Sequence, residues 1–116
     1  MKFKLIVVIV RDHLTDRITD AARAAGATGC TIITSARGEG LKPATTFLGL
    51  QLTGQSDVLL LMVEEHLSRE ILESIGKAGE FDEKPGNGVA FQVDIEDAIG
   101  LGSQIATIER EIEEKL

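Results

Sequence analysis

The sequence predicts an α+β fold, a β-α-β-β-α-β sandwich with an added C-terminal helix, and three observations predict it. Four short apolar runs, KFKLIVVIV at 2–10, TGCTIITSA at 28–36, DVLLLMV at 57–63 and VAFQVDI at 89–95, are β-branched and too short for globular helices. Two intervening stretches, from Leu14 and from His66, repeat apolar residues at helical intervals and stop at glycines. With 116 residues the chain has the length of one domain, so 1–116 is read as a single unit.

Residues 2–10 form the first strand. Leu14, Ile18, Ala21, Ala22 and Ala25 then mark one face of the first helix, with Asp12 or His13 in the capping region and Gly26 as its stop. The second strand, 28–36, leads into a Gly-, Pro- and Thr-containing connection at about 38–56, long enough to be functional in a compact domain. Within it TTFLGLQLT alternates imperfectly and reads as a projecting, partly extended arm. After the third strand, the helix HLSREILESIGKAG turns Leu67, Ile71, Leu72 and Ile75 inward, with Ser68 as candidate cap and Gly79 at its end. EFDEKPGNG is turn-rich, and the fourth strand alternates Val89, Phe91, Val93 and Ile95 against Ala90, Gln92 and Asp94. A last helix at about 103–115 carries Ile105, Ile108, Ile112 and Leu116 at helical spacing among glutamates.

This order is the ferredoxin-like split β-α-β pattern, in which both helices cover one face of an antiparallel sheet. LIVVIV and VLLLMV are apolar at every position, so both faces of the central strands call for burial. A second cover from further copies of the chain, hence a homo-oligomer, is expected.

Composition narrows the function. With 12 Lys and Arg against 19 Asp and Glu, the net charge of −7 repels nucleic acid and anionic lipid, so an anion must be held by a local site. Aromatic content of 3%, without Trp or Tyr, removes the stacking platforms of single-strand readers. Cys30 is alone, which rules out an internal disulfide, fits a reducing cytoplasm and, with two histidines, falls short of a zinc cluster. The apolar core of the N-terminus ends at Arg11 and Asp12 with no cleavage site after it, so neither a signal peptide nor a membrane insertion is expected.

Arg37-Gly38-Glu39-Gly40 stands where the second strand ends, and glycines there let backbone N–H groups turn inward as an anion nest, with Arg37 and Lys42 supplying charge. The same pattern also suits the start of an ordinary loop. Gly86-Asn87-Gly88 is a second glycine pair, readable as a ligand-facing loop or as a tight turn. Cys30 lacks an activating base and reads as a buried strand residue. Glu64, Glu65 and His66 read as a solvated strand end, His13 similarly, and Asp82-Glu83 as a loop acidic patch. No set of nucleophile, base and oxyanion donors is found, so the chain is not read as an enzyme.

Taken together, GATGCTI, ARGEG, the long loop, VLLLMVEE and GNGVAFQVDIEDAI resemble the PII-like signal-transduction proteins, relatives of the nitrogen regulatory P-II family, from residue 1 to about 101. The resemblance implies a homotrimer with adenine nucleotides in clefts between subunits. It also implies a mobile loop, here 38–56, that regulates a partner protein such as a membrane transporter at its cytoplasmic face. Residue by residue, it implies ligand contacts at Thr31, Arg37, Gly38, Gly40, Lys42, Gly86 and Gly88, and partner contacts at Thr45, Phe47 and Leu48. Two departures bear on the ligand. The family's basic residue after the second glycine pair is Val89 here, and its two arginines after the last strand are replaced by the stretch IGLGSQI. Fewer cations favour AMP or ADP over ATP. The chain has no tyrosine, which excludes tyrosyl uridylylation. The alternatives are a structural or metal-tolerance trimer of the same architecture that binds no nucleotide, and an acylphosphatase-like hydrolase, for which Asn87 is the only asparagine.

Overall fold

The computed structural model describes residues 1–38, 55–102, 105, 109, 110, 112 and 113. Their elements are β1 (Phe3–Arg11), α1 (Thr15–Ala24), β2 (Thr31–Ala36), β3 (Ser56–Glu64), α2 (Glu65–Gly79) and β4 (Gly88–Ile95), with a 3-10 turn at Asp12–Leu14. The strands form one antiparallel sheet in the order β2-β3-β1-β4, the ferredoxin-like arrangement.

Residues directly opposed in an antiparallel pair share a face, so the register sorts the side chains. Ile6, Val8 and Val10 of β1, with Leu59, Leu61 and Val63 of β3, are buried against Leu14, Ile18, Ala22, Leu67, Ile71 and Ile75. Full burial of each large apolar side chain contributes about 1.5–3 kcal/mol. The opposite face is just as apolar. Thr31, Leu60, Val7 and Phe91 form one row across it, and Ile33, Val58, Ile9 and Val89 the next. Both helices lie on the other side, which leaves Phe91 and Val93 41% and 45% exposed. One face of β1 and β3 therefore meets the helices, and among the described residues no element covers the other.

Local details differ from expectation for identifiable reasons. Helix α1 begins at Thr15, because Asp12 and His13 are taken up in the 3-10 turn and neither caps the helix. Its end is as expected, with Gly26 at φ 116. Ser68 does not cap α2. The helix starts earlier, the buried Glu64 accepts from the His66 amide at 2.7 Å, and Ser68 sits inside, donating to the Glu65 carbonyl. At the other end the left-handed residue is Glu80, φ 53, and Gly79 stays in the last helical turn. Phe81 N–H closes the motif on the Gly76 carbonyl at 3.0 Å.

Cys30 is exposed, not buried. Strand β2 begins one residue later and lies at the sheet edge, so among the described residues no further strand covers Cys30 on its outer side. Partial desolvation still pushes its thiol above the ordinary value, the opposite of an activated nucleophile. Of the last helix, Gly102, Ile105, Glu109, Arg110, Ile112 and Glu113 are helical, and Ile112 packs against the core. Ile108 and Leu116 lie outside the described residues.

Candidate functional site

Among the described residues, one end of the sheet gathers four of the five sequence-predicted ligand residues, Arg37, Gly38, Gly86 and Gly88. Ala36 of β2 opposes Ser56 of β3, which opposes Arg11 of β1, and the Arg11 amide donates to the Asn87 carbonyl at 3.0 Å just before β4. Arg37-Gly38, Gln55, Asp12-His13 and Gly86-Asn87 therefore leave the sheet together. The last turn of β2 has a register shift between Ile33 and Ala36, and Ser35 within it has φ 60. Such a bulge re-aims the residues that follow, here Arg37.

At this end a cavity of about 410 Å³ is lined by Arg11, Asp12, His13, Gln55, Lys84, Gly86 and Asn87. The Arg11 Nε donates to the Gly86 carbonyl at 3.2 Å. The Asp12 amide donates to the Gln55 carbonyl at 3.2 Å, joining the end of β1 to the residue before β3. The glycine loop is itself braced: the Asn87 amide donates to the Lys84 carbonyl at 2.9 Å and its Nδ2 to the Gly79 carbonyl at 2.8 Å.

The predicted residues fall into three groups. Gly86 lines the cavity, and Gly88 opens β4 directly behind it, opposite Val10. Arg37 and Gly38 share the sheet end but follow the opposite edge strand, three strand spacings or roughly 14 Å from β4. Thr31 sits in the row of Leu60 and Val7, five residues or roughly 16 Å along β2 from Ala36, so one protomer does not bring it to the cavity. Gly40, Lys42, Thr45, Phe47 and Leu48 lie outside the described residues.

Sequence reasoning missed Arg11 and Lys84. Their signals were a basic residue closing an apolar strand, VIVR, and a lysine two positions before Gly86.

A second cluster proves structural. Glu64, Glu65 and His66 bring three ligand atoms within 4.8 Å of one another. Glu64, however, is 2% exposed rather than solvated, and its two oxygens take the amide and the Nδ1 of His66, at 2.7 and 2.5 Å. Both oxygens thus serve the start of α2.

The family model for nitrogen regulatory protein P-II matches residues 3–104, from β1 past β4. The chain belongs to the P-II family. CPII from Thiomonas intermedia K12 bound to ADP, AMP and acetate superposes on this P-II chain with a TM-score of 0.66 at 23% identity, over 84% of this chain and 90% of that one. A PII-like signalling protein from Thermus thermophilus does so with a TM-score of 0.60 at 25% identity, over 82% and 87%. CPII bound to ADP and bicarbonate gives 0.63 at 24% identity, over 82% and 87%. No functionally curated protein matches the P-II chain in sequence. Among the described residues, no helix is long and apolar enough to cross a membrane.

Proposed function

We propose that this P-II chain is a cytoplasmic regulatory sensor. A homotrimer binds an adenine nucleotide, AMP or ADP in preference to ATP, in clefts between protomers, and the ligand sets the state of the 38–56 loop. That loop engages a partner protein, such as a membrane transporter at its cytoplasmic face, through Thr45, Phe47 and Leu48.

The observation that carries this reading is that Arg37-Gly38, Gln55 and Gly86-Asn87 leave the sheet at the same end, at the root of the loop. Family membership supports it, P-II proteins being regulatory and typically homotrimeric, as do the CPII structures of the same fold solved with ADP and AMP. The edge-to-edge separation of Arg37 from Gly86 also fits a site shared between protomers, in which the β2 edge of one approaches the β4 edge of the next. The apolar open face supplies the surface on which protomers would associate. Thr31, Gly40 and Lys42 complete the proposed ligand set.

A second reading, a structural or metal-tolerance trimer without nucleotide, is favoured by one observation: packing alone accounts for Gly88, whose side-chain space is filled by Phe81. Isothermal titration calorimetry with AMP, ADP and ATP, each with and without magnesium, separates the two. Saturable heat with AMP or ADP, weaker with ATP, is expected. No heat with any of the three from folded protein leaves the structural reading.

A further inference from the structure

The chain is acidic overall, yet among the described residues the cavity at the end of β1 is lined by the cations Arg11 and Lys84 with Asp12 as its single acidic residue. A local reversal of sign in a concave site is what an anion needs in a protein whose whole field repels it. Of the two cations, Arg11 is the more firmly placed. Its amide donates to the Asn87 carbonyl, which ties β1 to the glycine loop, and its Nε donates to the Gly86 carbonyl, which orients the guanidinium against that loop. Orientation matters because a guanidinium recognises a phosphate group through parallel N–H donors in one plane, whereas an ammonium acts as a point charge. Lys84 lies on the same loop, and its side chain pairs with Glu80 at 3.3 Å in an exposed contact, which a ligand of higher charge can displace at small cost. The loop backbone does not move freely under these side chains, since Asn87 ties it to Lys84 and Gly79.

We infer that Arg11, assisted by Lys84, holds the phosphate of the ligand in this cavity and makes the site selective for phosphorylated over unphosphorylated ligands. The identity of the ligand as a nucleotide rests on the proposed function; the role of Arg11 rests on the cavity. Charge reaches the site from β1, from a strand end, and the glycine loop serves as the frame that orients it.

The test titrates adenosine, ADP and inorganic pyrophosphate into the full chain and into Arg11→Gln, Arg11→Lys and Lys84→Gln, with thermal melts confirming folding. ADP affinity is expected to fall at least about tenfold in Arg11→Gln, less in Arg11→Lys and Lys84→Gln, with adenosine affinity unchanged. Should Arg11→Gln fail to fold, the same ADP-only loss in Arg11→Lys and Lys84→Gln decides the matter. Equal losses for adenosine and ADP mean that Arg11 only braces the loop, and an unchanged ADP affinity means that the phosphate lies elsewhere; either overturns the inference while leaving nucleotide binding in place. If the unmutated chain binds no nucleotide but binds pyrophosphate, and Arg11→Gln does not, the phosphate site stands and the nucleotide reading falls. If neither binds, both fall.

Discussion

The ring of Phe81 occupies the space that a side chain on Gly88 would need: a Cβ there would stand 2.7 Å from Phe81 Cε1 and 2.7 Å from the Ile9 carbonyl oxygen. A Cβ on Gly79 would collide with the same ring. One buried aromatic thus accounts for two glycines, joining the end of α2 to the start of β4. Gly88→Ala is expected to cost about 1–3 kcal/mol in denaturant unfolding, as overpacking does. Adding Phe81→Leu should recover part of that loss but not all, since the Ile9 carbonyl remains. A Gly88→Ala chain as stable as the parent would contradict this packing.

Thr15 anchors the first turn of α1 to the sheet by donating its hydroxyl to the Asp57 carboxylate at 2.6 Å. Both residues are buried, so no water can replace the bond readily. Thr15→Val should lose about 1–3 kcal/mol by leaving the carboxylate short of a partner, while Thr15→Ser should stay close to the parent. Urea titrations of the two variants check this. Equal stability of valine and serine would mean that shape, not the hydroxyl, matters at this position.

Periodicity made the sheet and both helices legible because burial itself is periodic: Ile18, Ala22, Ile71 and Ile75 face the core at helical spacing. What escaped was decided by contacts between distant segments. Ser68 has the chemistry of a cap, but Glu64 is the residue whose strand delivers it to the start of α2. Gly79 looked like a helix stop, yet its lack of a side chain answers to Phe81, and Glu80 takes the left-handed turn. For the site, the resemblance places a cation after the glycine pair, where this chain has Val89. Val89 opposes Ile9, so Arg11, two residues further along β1, stands diagonally beside it on the same face. Local sequence could not show that neighbour.

Leu60 opposes Val7 on the open face, in the row that includes Phe91. If three copies bury this face together, Leu60→Glu places a charge where no water remains, and the assembly should break. Light scattering is expected to give three chains for the parent and one for the variant, with far-ultraviolet circular dichroism retained because the helix-facing core is untouched. A trimeric variant would remove this face from the interface.

Arg37 and Gly38 begin the connection from β2 to β3, and neither belongs to the core cluster. Arg37→Ala with Gly38→Val should therefore leave folding and assembly intact. If the proposed site is correct, calorimetry should show nucleotide affinity lost at least about tenfold. Unchanged affinity in an intact oligomer would take the root of the 38–56 loop out of the ligand site.

The edge of the sheet far from that root carries an acid-sensitive contact. Lys4 Nζ lies 2.8 Å from Asp94 Oδ1, and this hydrogen bond, then the charge of Lys4, holds the Asp94 carboxyl below its ordinary value of 3.8. A carboxyl depressed on folding contributes stability that is present above its unfolded value and is lost as pH falls through the folded one. Both groups are partly in solvent, Asp94 largely so, which keeps the contribution small. Asp94→Asn should therefore melt slightly below the parent at neutral pH, with a gap that is constant down to about pH 5 and closes as the pH drops below 3.8. A gap that persisted in acid would show that the asparagine acts through packing at the β4 edge and that the ion pair contributes nothing.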